Sequence, residues 1–317
     1  MMSKKLISIF TPVFNEEDNI PHVYETVKRV MTALNDRYEY EHVFSDNAST
    51  DRSVELLREL SQQDSRVKLI ALSRNFGVTK STLNGLYRCQ GDAVVQLDAD
   101  LQDPPEMIID FIEKWEQGYK VVYGIRKDRD EGWVMKNIRR LFYRMAESLS
   151  NETLIPDVGE FRLMDKRIIQ ELRKIKDYNP YLRGVIANLG FPQAGIPYHR
   201  NRRERGKTST NLYRLFDYGM NGIISHSTIL LRLSTMTGIF LALIAFALII
   251  LYALLKIILQ SSPAGLTTIT ILILFFSGIQ MIFLGIIGEY IAKIYSQTID
   301  RPMVIERELI GFKEQDL

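Results

Sequence analysis

The sequence predicts an α/β fold, a mostly parallel sheet with helices on both faces, followed by a C-terminal two-helix transmembrane hairpin. Three observations predict it. Short apolar runs alternate with amphipathic stretches from residue 6 to residue 124. Polar clusters close those runs at 11–16, 46–51, 73–77 and 98–103. Between Arg232 and Glu289 lie 56 residues, and only Lys256 among them is charged.

The elements follow in order. LISIF at 6–10 is a strand ended by Thr11-Pro12, and an amphipathic helical stretch covers 17–35. A second strand at 41–45 runs into Ser45-Asp46-Asn47, and Ser49-Thr50-Asp51 caps a helix over 51–64. A strand at 67–72 precedes a helix at 77–89, and DAVVQL at 92–97 is a strand ending at Asp98. Pro104-Pro105 opens the next helix, because proline is tolerated in a first turn, and YKVVYG at 119–124 is the fifth strand. Sheets of this kind bind ligands at the carboxyl ends of their strands, where the polar clusters fall. Neither GxGxxG nor GxxxxGK[ST] is present, so any phosphate is held by other means.

The back of the chain differs in composition. A helix needs about 20 residues to cross a hydrocarbon core. The uncharged runs on either side of Lys256 each suffice, giving spans of about 233–257 and 266–290 joined by a turn at 260–265. Arg200, Arg202, Arg203, Arg205, Lys207, Arg214 and Arg232 precede the first span, while Lys293 and Arg301 follow the second. That asymmetry predicts a multi-pass protein of the cytoplasmic membrane with both termini cytoplasmic. Leu212, Leu215, Phe216, Met220, Ile223 and Ile224 share one face of an amphipathic segment over 210–228, suited to the headgroup layer. The expected organisation is a soluble domain over 1–209, this juxtamembrane helix, the hairpin within 229–292, and a cytoplasmic tail over 293–317.

The averages hide this division. The 317 residues carry a net charge of +2 and are 46% hydrophobic, values ordinary for a soluble protein. Such apolar content excludes disorder. The single cysteine, Cys89, excludes a disulfide scaffold and reads as a small buried hydrophobe. MMSKK is followed by only a short apolar run, unlike a secretory leader. The four histidines show no metal spacing. The small net charge, with basic clusters beside the hairpin, argues against nucleic acid as a partner.

Asp98-Ala99-Asp100-Leu101-Gln102-Asp103-Pro104-Pro105 carries the strongest chemical signal. In extended geometry residues i and i+2 point the same way, so Asp98 and Asp100 stand together at the end of a strand. Like charges that close are costly unless a cation joins them. Oxygen ligands suit Mg²⁺ or Mn²⁺, with phosphate oxygens completing the shell and Gln102 as a third protein ligand.

TPVFNEEDNI (11–20), SDNASTD (45–51), SRNFGVTKS (73–81), DADLQDPP (98–105) and DVGEFRLMD (157–165), in this order, resemble the family 2 glycosyltransferases of the GT-A fold. The likeness is greatest to the polyprenyl-phosphate glycosyltransferases, which include bactoprenol glucosyltransferases and dolichyl-phosphate mannose synthases. With the two spans it covers nearly the whole chain. The resemblance implies that Pro12, Phe14 and Glu16 hold the base and ribose of a nucleotide sugar and that Asp46 contacts the base. It puts Asn75, Gly77 and Lys80 in the next donor-side loop, and Asp98, Ala99 and Asp100 at the metal and diphosphate. The family's usual Asp-Asp-Gly-Ser stands here as Asp46-Asn47-Ala48-Ser49. Asp157 is the implied base, with Glu160 as its rival. Arg126, Arg139, Arg202, Arg205 and Lys207 are the implied contacts to diphosphate or lipid phosphate.

The implied reaction is inverting transfer of a hexose, UDP-glucose being the first choice of donor and GDP-mannose the alternative, to undecaprenyl phosphate at the membrane. Paired hairpins would allow a homo-oligomer. Two rivals stand beside this reading. A processive polysaccharide synthase carries QxxRW, but neither Trp115 nor Trp133 follows an arginine. A non-catalytic membrane adaptor has no need of intact Asp98, Asp100 and Asp157.

Overall fold

The computed structural model describes residues 4–127, 158–175, 177, 180, 182–200, 229–259, 265–298 and 302–312. The expected amphipathic helix over 210–228 lies outside the described residues.

The apolar runs become the centre of one eight-stranded sheet. Strands β1 (Lys5–Val13), β2 (Tyr38–Asp46), β3 (Val67–Leu72) and β4 (Ala93–Gln96) are mutually parallel, in the spatial order β4-β1-β2-β3. Burial on both faces explains the apolar centres of these strands, and the charged residues buried in β2 and β3, Glu41 and Lys68, pair with each other at 2.6 Å. Between them lie α1 (Ile20–Thr32), α2 (Ser53–Gln63) and α3 (Val78–Arg88). The caps differ from expectation at α2. Asp51 Oδ1 takes the Ser53 N–H at 3.0 Å and Glu17 Oε2 the Arg52 N–H at 3.0 Å, while Arg52 stands at the N-cap without a side-chain cap bond and the helix begins at Ser53. Pro105 opens a short 3₁₀ turn, Pro105–Met107, which continues into α4 (Ile108–Glu116).

The fifth strand, β5 (Val121–Lys127), is joined in the sheet by three strands that the sequence pattern does not announce. Strand β6 (Val158–Asp165) runs antiparallel between β4 and β5, pairing Gln96 with Arg162 and Tyr123 with Arg162. After α5 (Lys166–Lys174) and α6 (Leu182–Asn188), strand β7 (Gln193–His199) lies parallel to β5 at one edge. The other edge is covered by β8 (Glu306–Ile310), antiparallel to β3. The helices pack on both faces. Val23, Val27, Leu57 and Phe111 share one core cluster, and Leu83, Leu86 and Ile168 share the other.

Two long helices, α7 (Ile229–Leu259) and α8 (Leu266–Thr298), form a second compact unit. Strand β8 lies beyond both in the chain, yet belongs to the unit that contains the sheet. Among the described residues, Phe275–Ala292 is long and apolar enough to cross a membrane, with mean hydropathy 1.6 and none of it buried. Exposed apolar side chains run along both helices, among them Phe240, Leu243 and Phe246 on α7 and Met281, Leu284 and Ile291 on α8.

Charged pairs fasten β8 to the sheet unit. Arg88 donates to Glu306 through Nε at 3.0 Å and Nη2 at 2.7 Å, and Asn84 Nδ2 donates to Glu306 at 2.8 Å. Arg58 grips Glu308 in the same two-pronged way, at 3.2 and 2.8 Å. Replacing Glu306 by Ala strands two partly buried donors, so Glu306→Ala is expected to cost about 1–3 kcal/mol and to lower the thermal midpoint in detergent. A wild-type midpoint would show that this anchor is energetically idle.

Candidate active site

The carboxyl ends of β1 to β4 gather the polar clusters into one surface. Asn15 and Ala48 take left-handed backbone conformations, at φ 57° and 62°, that turn two neighbouring loops toward each other. The loops are then laced together. Ser49 Oγ accepts the Asn15 N–H at 2.9 Å, and Asn15 Oδ1 accepts the Thr50 N–H at 2.8 Å. Ser53 Oγ accepts from Glu16 N, and Glu17 receives the Arg52 N–H. Pro12 lies opposite Ser45 in the β1–β2 register, and Phe14 is exposed just beyond.

A third loop joins through Asn47. Its Oδ1 accepts the Phe76 N–H at 2.9 Å, and its Nδ2 donates to Asn75 Oδ1 at 3.0 Å. Asn75 Oδ1 also takes the Gly77 N–H, and Gly77 sits at φ 89°, where a side chain would be strained. The asparagine that replaces the second Asp of the expected motif thus ties two of the strand-end loops together. Beside it Asp46 is fully buried. Its Oδ2 accepts the Ser49 N–H at 3.0 Å, while Oδ1 has no hydrogen-bond partner among the described residues. Burial raises the Asp46 carboxyl above its ordinary range, against hydrogen bonds from Ser49 and Ala48 and the charge of Arg307. Lys80, the other expected residue of this group, lies in the first turn of α3.

Past β4 the chain turns through Ala99, which is buried, and Leu101, at φ 52°. Gln102 N–H is accepted by Asp100 Oδ1 at 3.2 Å. Four carboxylates converge here. Burial, followed by the charges of Asp103, Glu160 and Asp100, pushes the Asp98 carboxyl up to about 7, with Arg126 opposing. Asp103 and Glu160 are neutralised by described residues. Asp103 accepts the Tyr198 hydroxyl proton through Oδ1, and Arg126 and Arg200 each stand 3.6 Å from its carboxylate. Glu160 is held at both oxygens, by Arg183 at 2.6 Å and Arg162 at 2.8 Å. Burial raises the Glu160 carboxyl, but Arg162, Arg183 and Arg126 together outweigh it and hold the group below its ordinary range.

Arg126 itself is seated on bare backbone. Its Nε donates to Tyr198 Oη at 3.2 Å, and its guanidinium lies across Gly159, where an added Cβ would fall 2.7 Å from Nη2. The expected residues Asp46, Asn75, Asp98, Asp100, Glu160 and Arg126 therefore occupy the strand ends. Asp157, Arg139, Arg202, Arg205 and Lys207 lie outside the described residues. Sequence reading missed Asp103, Gly159, Arg162, Arg183 and Tyr198 as site residues. Asp103, Gly159 and Arg162 stood inside the motifs DADLQDPP and DVGEFRLMD. Arg183 and Tyr198 carry no local signal, because long-range pairing brings them together.

An all-oxygen donor set fits a hard divalent cation. Among the described residues no three His, Cys, Asp or Glu side chains can enclose a metal ion by themselves. Asp98, Asp100 and Gln102 would offer oxygen ligands to such an ion, and the rest of its shell would have to come from other donors.

Residues 8–173 match the glycosyl transferase family 2 profile, more than half of the chain. The uncharacterised glycosyltransferase YkcC of Bacillus subtilis is 39% identical over 98% of this chain and 96% of its own length. The bactoprenol glucosyl transferase of Shigella phage SfX is 34% identical over 93% of this chain and 97% of its own. Among solved structures, a mannosyltransferase from Pyrobaculum calidifontis in complex with GDP-Man and Mn²⁺ aligns with TM-score 0.48 at 14% identity, covering 95% of this chain and 89% of that one. The chain belongs to glycosyl transferase family 2.

A methyl group on Gly159 meets the flexible end of Arg126 rather than backbone. Gly159→Ala is therefore expected to leave the thermal midpoint nearly unchanged while lowering kcat/KM about tenfold to a hundredfold, as a small misplacement of a group in the candidate site does. Wild-type kinetics in this variant would contradict the seating of Arg126 as a functional feature.

Proposed function

We propose that the protein transfers a hexose, with inversion, from a nucleotide sugar to a polyprenyl phosphate at a membrane surface. The observation that carries this reading is the carboxylate pair Asp98 and Asp100 at the end of β4, flanked by donor-side loops on one hand and by Arg126 on the other. The phage relative is a bactoprenol glucosyl transferase by name, which supports glucose as the sugar and bactoprenol as the carrier. UDP-glucose is accordingly the donor we favour, with undecaprenyl phosphate as the acceptor.

Each group then has a task. Pro12, Phe14, Glu16 and Asp46 hold the nucleoside, and Asn75, Gly77 and Lys80 border it. Asp98 and Asp100, with Gln102, would hold Mg²⁺ or Mn²⁺, which when bound supplies Lewis-acid stabilisation of the departing nucleoside diphosphate. Arg126 offers a guanidinium fork to phosphate, a task shared in this reading with Arg139, Arg202, Arg205 and Lys207. Glu160 has both oxygens engaged by arginines, so it orders Arg162 and Arg183 rather than taking a proton. Asp157 then remains as the acceptor-side carboxylate. A phosphate monoester is largely dianionic at pH 7, with a second pKa of about 6, and needs little deprotonation. Asp157 in this account orients the acceptor.

The membrane part rests on two supports. Apolar side chains are exposed along α7 and α8 well beyond what water tolerates on a monomer. Strand β8 follows both helices yet pairs within the same sheet as β1, which requires an even number of crossings between them. A hairpin of two spans with the sheet on the cytoplasmic side satisfies this and keeps the site near an insoluble acceptor.

The test is transfer itself. Purified full-length protein with undecaprenyl phosphate, Mg²⁺ and a panel of labelled nucleotide sugars is expected to move label from UDP-glucose into the lipid phase. Transfer from no donor in the panel would overturn the proposal. Asp98→Asn and Asp100→Asn are expected to abolish this transfer. Asp157→Asn is expected to cost much less than the ~10²–10⁴ typical of a true general base; a larger loss would restore Asp157 as the base.

A further inference from the structure

Strand β8 delivers a residue that no motif marked. Its pairing with β3 runs Leu69↔Ile310, Ile70↔Leu309, Ala71↔Glu308, and then Leu72↔Glu306. Arg307 is the extra residue of a β-bulge. The side chains on either side agree. Glu306 meets Asn84 and Arg88 of α3, whereas Glu308 meets Arg58 of α2. These helices lie on opposite faces, for Leu57 of α2 and Leu83 of α3 sit in different core clusters. In a regular strand residues i and i+2 share a face; here one inserted residue separates them. Bulges are used beside active sites to re-aim a side chain.

The bulge lies at the carboxyl end of β3, beside the donor-side loops. Immediately before it, Ile305 C=O accepts the N–H of Ser73, at 2.9 Å, where the 73–77 loop begins. That loop is tied through Asn75 to Asn47, the neighbour of Asp46. Arg307 is exposed and makes no hydrogen bond or ion pair with a described residue, and its charge acts on Asp46 and Glu308. The buried Asp46 has one oxygen, Oδ1, with no hydrogen-bond partner among the described residues.

We propose that Arg307 reads the base of the donor: its guanidinium donates to a ring carbonyl oxygen while Asp46 accepts the adjacent ring N–H. This deepens the donor reading above and rests on it. Uracil and guanine both present a carbonyl beside an N–H. Cytosine and adenine present an amino group beside an unprotonated nitrogen, which reverses the pattern. A carboxylate with a guanidinium therefore accepts the first pair of bases and rejects the second, because mismatched polar groups are left unpaired. The strand that closes the sheet after the two long helices thus takes part in choosing the nucleotide.

The test uses the full-length protein in detergent with Mg²⁺. Affinities for UDP, GDP, CDP, ADP and pyrophosphate are measured by titration calorimetry for wild type, Arg307→Ala and Arg307→Lys. Wild type is expected to prefer UDP over CDP, or GDP over ADP, and the preferred partner identifies the base. Arg307→Ala is expected to weaken that nucleotide about tenfold to a hundredfold, to erase most of the preference, and to leave pyrophosphate binding unchanged. Arg307→Lys, which keeps the charge and a donor, is expected to recover part of the preference. Unchanged preference in Arg307→Ala overturns the inference alone, as does an equal loss for all four nucleotides and pyrophosphate. Failure of the wild type to bind any nucleotide overturns the donor reading and the inference with it.

Discussion

Crowding of acidic groups at the end of β4 is the constraint on which the rest of the site depends. Asp98, Asp100, Asp103 and Glu160 lie close enough for each of the other three to raise the Asp98 carboxyl. Folding does not tolerate four such charges without compensation. Two receive it from within: Asp103 from Arg126, Arg200 and Tyr198, and Glu160 from Arg162 and Arg183. Asp98 has no ion pair among the described residues, and under the proposed function its compensation is a cation bound together with the donor diphosphate. The internal pairs also fix the arginines beside these carboxylates.

Antiparallel β6 makes this arrangement possible. Its insertion between β4 and β5 brings the loop after β4 beside the start of β6, with Gln96 opposite Arg162. Gly159 then leaves room for the Arg126 guanidinium against the strand backbone. On the other side of the sheet's centre, Asn15, Asn47 and Asn75 use side-chain amides to lock three loops whose backbones have no strand partners there. Three strand-end loops are thus tied together without a glycine-rich loop.

The first five strands were legible because each is an apolar run with turn residues at its end, and four lie in the parallel centre of the sheet. The others break that pattern for physical reasons. Strand β6 interrupts its apolar residues with Gly159, Glu160 and Arg162, the last buried and ion-paired with Glu160. Strand β7 carries Pro197 at a sheet edge, where a missing N–H is tolerated. Strand β8 alternates Glu306, Arg307 and Glu308, a charged edge of the kind that discourages pairing with other chains; in sequence it looks like a tail. Site residues divide the same way. Asp46, Asn75, Asp98 and Asp100 stand in local motifs and could be read. Tyr198, Arg183 and Arg307 reach the site only through long-range pairing, which no local pattern encodes.

The central claim is that Asp98 and Asp100 bind a divalent cation together with the donor diphosphate. The most direct measurement is the affinity of the wild-type protein for UDP and GDP in Mg²⁺ and in excess chelator. The account predicts that the better-bound nucleotide weakens by about tenfold or more when the metal is removed, and that Asp98→Asn removes the difference. An affinity that is the same with and without metal would contradict it.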